Sequence, residues 1–136
     1  MKKITEKSAD TILAVLAVGH ALLIFINAYF RQQIDLLYSL FDFRFQILVV
    51  MLMPMAAAAM LSSKVRRYGI ILFLGLAPAF FISRLYDRFF PVLTSGLMIA
   101  SFWPKFIFEV SYWLVLSVES AMFVFGLKLF KNFHEH

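Results

Sequence analysis

KFIFEVSYWLVLSVESAMFVFGLKLF, residues 105–130, decides the fold. The run is long enough to cross a bilayer as a helix, which takes about 20 residues at about 1.5 Å each. Near its centre sits an acid, Glu119. A charge at that depth costs about 2.5–3.5 kcal/mol on insertion scales, against about 0.3–0.6 gained per Leu, Ile, Phe or Val. The helix tolerates the acid, and an intramembrane ionisable group is a functional candidate by default.

The rest of the chain has the same character. Of its 136 residues, 62% are hydrophobic and 15% charged, with a mean hydropathy of +0.85. Soluble domains are roughly 45–50% apolar. Such a chain is a single transmembrane domain, 1–136, with the lipid bilayer as its first partner. The net charge of +5 does not indicate nucleic acid, because the basic residues sit in short segments between apolar runs. With no cysteine, disulfides, thiolate metal sites and cysteine nucleophiles are excluded. The basic N-terminus precedes an apolar run without an A-x-A-like cleavage site, which reads as a retained helix rather than a removable signal peptide.

Four spans are expected, at about 11–30, 43–62, 68–86 and 107–128, in an all-α antiparallel four-helix bundle. The first holds His20 and Asn27, seven residues apart on nearly one face, with Arg31 continuing the stripe. Its small residues, Ala14, Ala17, Gly19 and Ala21, permit close helix approach. Residues 31–42 place Ile34, Leu37, Tyr38 and Phe41 on one side, the pattern of an interfacial amphipathic helix. The second span is rich in Met and Ala around Pro54, and its methionines read as adaptable packing. The third is centred on Gly75 and Pro78. Residues 89–104 are bracketed by Pro91 and Pro104; the twelve residues between the prolines are too few to span and read as re-entrant or interfacial.

Lys and Arg set the orientation. With both termini and the Ser63–Arg67 turn on one side, Lys2, Lys3, Lys7, Lys64, Arg66, Arg67, Lys128 and Lys131 lie there, eight of the 13 basic residues. Arg31, Arg44, Arg84, Arg88 and Lys105 lie opposite. The positive-inside rule therefore places both termini in the cytoplasm of a multi-pass protein of the cell (inner) membrane.

Two polar layers follow. His20, Pro54, Pro78 and Glu119 each lie near the middle of a span and share a midplane layer. Burial disfavours charge on either His20 or Glu119 and pairing favours it on both, so together they are able to hold or pass a proton. The alternative is interhelical glue, or contact with a partner subunit. Asn27, Arg31, Asp42, Arg44, Arg84, Asp87, Arg88 and Glu109 form an outer layer. Its signs are mixed, as in an ion-pair network at headgroup level, with an anion vestibule as the functional version.

No H-E-x-x-H, G-x-S-x-G or glycine-rich phosphate loop occurs. The chain is read as having no catalytic residues, no metal site and no cofactor, and as not being an enzyme. The expected function is a non-catalytic subunit or accessory protein of a larger membrane assembly. The alternative is a homo-oligomeric transporter or channel, proton-coupled through Glu119 and His20.

Overall fold

A computed structural model describes residues 2–34, 44–89 and 102–134. They form four helices: α1 (Lys2–Ile34), α2 (Arg44–Met60), α3 (Arg66–Phe89) and α4 (Phe102–His134). No strand occurs among the described residues. Three helices contain stretches long and apolar enough to cross a membrane: Ser8–Gln32, Arg66–Tyr86 and Phe102–Lys131. The chain is thus a helical protein of membrane type. At 17 residues α2 is the shorter apolar helix, about 25 Å long.

The helices exceed the expected spans at several ends. α1 continues through residues 31–34, so the start of the anticipated interfacial segment is a direct extension of the first helix. α4 begins at Phe102, within the stretch expected to return without crossing. Pro104 explains why that is tolerated: in a first turn the missing N–H has no intrahelical partner to lose. The remainder of both anticipated outer segments, residues 35–42 and 90–101, lies outside the described residues.

α1 packs on α2 and α4, and α3 packs on the same two; the α1–α4 contact is the most extensive. The reason is legible in α1, whose buried face reads Ala9, Leu13, Ala17, Ala21, Ile24 and Ala28. Spacings of three and four put these on one stripe, and its alanines let α4 come close. Of the anticipated small residues, Ala17 and Ala21 are inside, whereas Ala14 faces out. Two apolar clusters result. One gathers Leu13, Ala57, Ile70, Phe73, Met122 and Leu129 from all four helices. The other gathers Ile24, Ala28, Ile47 and Val115 from α1, α2 and α4. Large apolar side chains, including Val15, Leu22, Phe45, Leu52, Ile82, Trp113 and Val124, cover the outside. In water such a surface would be an aggregation liability; against lipid it is the solvated face.

The α2–α3 connection is tight. Leu61, Ser62 and Ser63 donate their backbone N–H groups to Ala58, Ala59 and Met60, closing α2 with i→i−3 bonds. The Ser62 and Ser63 hydroxyls donate to the Ala59 and Met60 carbonyls at 3.1 and 2.8 Å, satisfying acceptors a helix end leaves open. Gly69 then lets α3 lie against α2. A Cβ there would stand 2.8 Å from the Ala57 carbonyl oxygen and 3.0 Å from Met60 Cβ. Backbone cannot yield as a side-chain tip can, so Gly69→Ala should cost about 1–3 kcal/mol through overpacking. Gly75→Ala, whose Cβ would meet nothing within 4 Å, is the control. Reversible SDS unfolding in mixed micelles measures both, and equal stability of the two variants would refute the close approach.

Candidate functional site

Between the two apolar clusters lies a polar layer. On α1, His20 falls between Leu13 and Ile24; on α4, Glu119 falls between Val115 and Met122. Both side chains are fully buried. His20 Nε2 stands 2.8 Å from Glu119 Oε2. The depth match inferred from the two spans therefore corresponds to direct contact.

A third member comes from α3. Arg84 Nη2 donates to Oε2 at 2.9 Å, and Arg84 Nε approaches Oε1 at 3.4 Å. This is a side-on, two-pronged grip in which the second prong is long. Arg84 was expected in the outer layer with Asp87 and Arg88. Its backbone does sit farther along, since the Tyr112 hydroxyl donates to the Arg84 carbonyl at 3.4 Å. Tyr112 precedes Glu119 by seven residues, about 10 Å of helix. Helical side chains lean toward their own N-terminus, and the long arginine stem follows that lean inward to the carboxylate.

With Arg84 beside it, Glu119 is read as the carboxylate, an acceptor only. Nε2 of His20 must then carry the hydrogen. The imidazole is held flat against Phe80, with ring centroids 5.8 Å apart and planes 10° from parallel. Its other nitrogen, Nδ1, is buried and has no hydrogen-bond partner. Buried polar atoms without partners are uncommon enough that each calls for a physical reason.

The other anticipated site residues are more dispersed. Pro54 is buried in α2 and Pro78 half-buried in α3; neither has a described contact with the triad. Asn27 Nδ2 donates to Ser111 Oγ at 3.0 Å and to the Phe108 carbonyl at 3.2 Å. That joins α1 to α4 one layer beyond the triad. Arg44 packs its guanidinium over the Phe45 ring, 4.8 Å from the centroid. Arg31 and Glu109 are each partnered. Asp42 lies outside the described residues, as do the side chains of Asp87 and Arg88.

Two contacts had no counterpart in the sequence reading. One is the arginine on Glu119. The other is a two-pronged pair in which Arg66 donates to Asp10 at 2.6 and 2.9 Å and to the Leu61 carbonyl at 2.8 Å. It ties the start of α1 to the α2–α3 turn. The available signal for it was Asp10 itself, an acid at the foot of the first apolar run. In the sequence Arg66 stands out only as a topology charge.

The chain matches no protein-family model, no curated protein and no solved structure. The site must therefore be interpreted on its own geometry. It can hold three helices in one register, and it carries one nitrogen able to accept a proton.

Proposed function

We infer that this is a four-span antiparallel inner-membrane protein, with both termini cytoplasmic, that serves as a non-catalytic subunit or accessory protein of a larger membrane assembly. The observation that carries this reading is that the central carboxylate is fully engaged within the chain. Glu119 is fully buried and both its oxygens are engaged by Arg84 and His20. A substrate site keeps charged groups open to a ligand; here they are spent on one another. Among the described residues an apolar exterior stays open to other molecules, including a shallow groove on α1 lined by Ala14, Val15, Val18, Gly19 and Leu22. A Cβ added at Gly19 would meet nothing within 4 Å, leaving room for another helix to approach.

Contact order supports the antiparallel arrangement. Along α1 the partners Glu119 of His20 and Ser111 of Asn27 run backwards along α4. Along α3, Leu74 lies near Gly126 and Arg84 near Tyr112, again in reverse. Counting α2 as a span accepts a helix shorter than the usual 20 residues, accommodated by local thinning or by snorkelling flanks.

Topology is checked with single cysteines at Ser39, Ser63 and Ser95 in this cysteine-free chain. Impermeant maleimide should label positions 39 and 95 from outside and leave 63 unlabelled; labelling at 63 inverts the orientation. Function is checked by extracting the protein from its native membrane in mild detergent and measuring stoichiometry. A larger membrane protein held in fixed ratio is the expected result. A homo-oligomer alone would instead favour the proton-coupled transporter, for which the unpartnered His20 Nδ1 is the supporting observation. A monomer alone would end both readings.

A further inference from the structure

We propose that the triad is a proton-for-arginine exchange switch, in which a proton taken by His20 at Nδ1 releases Arg84 from Glu119. Such a switch needs no partner protein, so it stands whether or not the chain is a subunit.

Charge conservation in the buried layer is the physical basis. With His20 neutral, Glu119 and Arg84 cancel. A proton added at Nδ1 turns the imidazole into a second cation on the same carboxylate and leaves one uncompensated positive charge among apolar side chains. An isolated buried charge is expensive, so one cation must leave. His20 and Glu119 have no route out, since both are fully buried and the imidazole is stacked under Phe80. Arg84 has one. Its side chain is already 19% exposed, and it lies five residues before the end of α3 at Phe89. A long flexible stem near a helix end is what allows an arginine to snorkel to the headgroup layer. After release, Glu119 and protonated His20 cancel one another, and the buried layer is again neutral. The covalent change is one proton transfer: an O–H bond of hydronium in the solvent breaks, the Nδ1–H bond forms, and water is left behind.

The neighbours of His20 are consistent with this. From α4 it faces Glu119; from α3 it faces Phe80, with Arg84 beyond on the shared carboxylate oxygen. α2 carries one ionisable residue, Arg44, at its first position, on the far side of Ile47. On α1, Asp10 and Arg31 are ten and eleven residues away, about 15 Å or more along the helix. On α4, Glu109 and Lys128 are comparably distant from Glu119. From α4 the Tyr112 hydroxyl also donates to the Arg84 carbonyl at 3.4 Å. The unpartnered Nδ1 is then explained as the proton-accepting position of the switch. Release of Arg84 removes the charged tie between α3 and α4 at this layer and offers a guanidinium to lipid phosphate, which it can grip with two hydrogen bonds.

The full chain, labelled with 15N-histidine and 15N-arginine in lipid nanodiscs, tests this by NMR from about pH 8 to about pH 5, the interval in which histidine serves as a switch. At the upper end His20 should show Nε2–H with Nδ1 unprotonated, and Arg84 Nε should be shielded from a soluble paramagnetic agent. At the lower end both His20 nitrogens should carry hydrogens and paramagnetic relaxation of Arg84 should rise several-fold. His20→Asn should abolish the change. If that variant does not fold, the titration of the native chain decides alone. The proposal is overturned if His20 takes its proton while Arg84 stays shielded, if Arg84 is released without protonation of His20, or if His20 takes no proton across the interval.

Discussion

Arg84→Ala is expected to destabilise the protein by about 3–5 kcal/mol, the cost of breaking a buried ion pair by removing one partner. The same figure does not apply to Glu119→Gln, although that change also removes one charge. The two partners differ in what they can do when stranded. Glu119 is fully buried on a short stem in the middle of α4, so without Arg84 its carboxylate keeps a single hydrogen-bond partner, His20. Arg84 is partly exposed near the end of α3 and can withdraw its guanidinium toward the headgroups. Gln at position 119 also retains an acceptor for His20 Nε2. Its cost should therefore fall nearer the roughly 1–3 kcal/mol of an imperfectly satisfied buried group. Reversible SDS unfolding in mixed micelles measures both variants. Equal losses, or a larger loss for Glu119→Gln, would show that Arg84 has no exit and is as captive as the acid.

The same residues carry different amounts of their placement in the sequence. Apolar periodicity and run length located all four helices, because membrane helices declare themselves by composition over about 20 residues. Depth alone makes His20 and Glu119 a candidate pair, since both lie near the centre of long runs, and leaves their contact open. Azimuth, which periodicity does not set between helices, is what the fold adds: it turns the two side chains to within 2.8 Å of each other. Arg84 meets Glu119 rather than the outer layer because depth read from its backbone position differs from the depth of its guanidinium. Its side chain leans back toward the N-terminus of α3, and the charged group sits well inward of its Cα. α1, α3 and α4 run past the expected spans, whereas α2, Arg44–Met60, falls inside its expected 43–62. Pro104 read as a boundary, whereas proline in a first turn is compatible with helix, and α4 starts before it. The Arg66–Asp10 pair was obscured differently. Topology counting treats a basic residue near a helix end as a signal to the membrane and gives no indication of which acid it will meet.

Replacing the triad wholesale separates what it contributes to stability from what it contributes to response. The variant Glu119→Leu, Arg84→Met, His20→Leu removes both charges and the imidazole, and fills the layer between the Leu13 and Ile24 clusters with apolar side chains of comparable reach. Exchanging a buried ion network for packed hydrophobic residues is often neutral or stabilising by about 1–4 kcal/mol. Hydrogen bonds between membrane helices average only about 0.6 kcal/mol in double-mutant cycles, so little is lost with them. The triple variant should accordingly unfold at or above the SDS fraction of the native chain, recovering the whole loss expected of Arg84→Ala alone. Because the outward groove on α1 is left untouched, any fixed-ratio membrane partner should still co-purify. The pH-dependent behaviour of α3 should vanish, with nothing left in the layer to titrate. A triple variant less stable than Arg84→Ala would mean that the ion network specifies the register of α1, α3 and α4 and is not replaceable by packing. Loss of the partner at full stability would place the triad, rather than the apolar exterior, at the heart of the interaction.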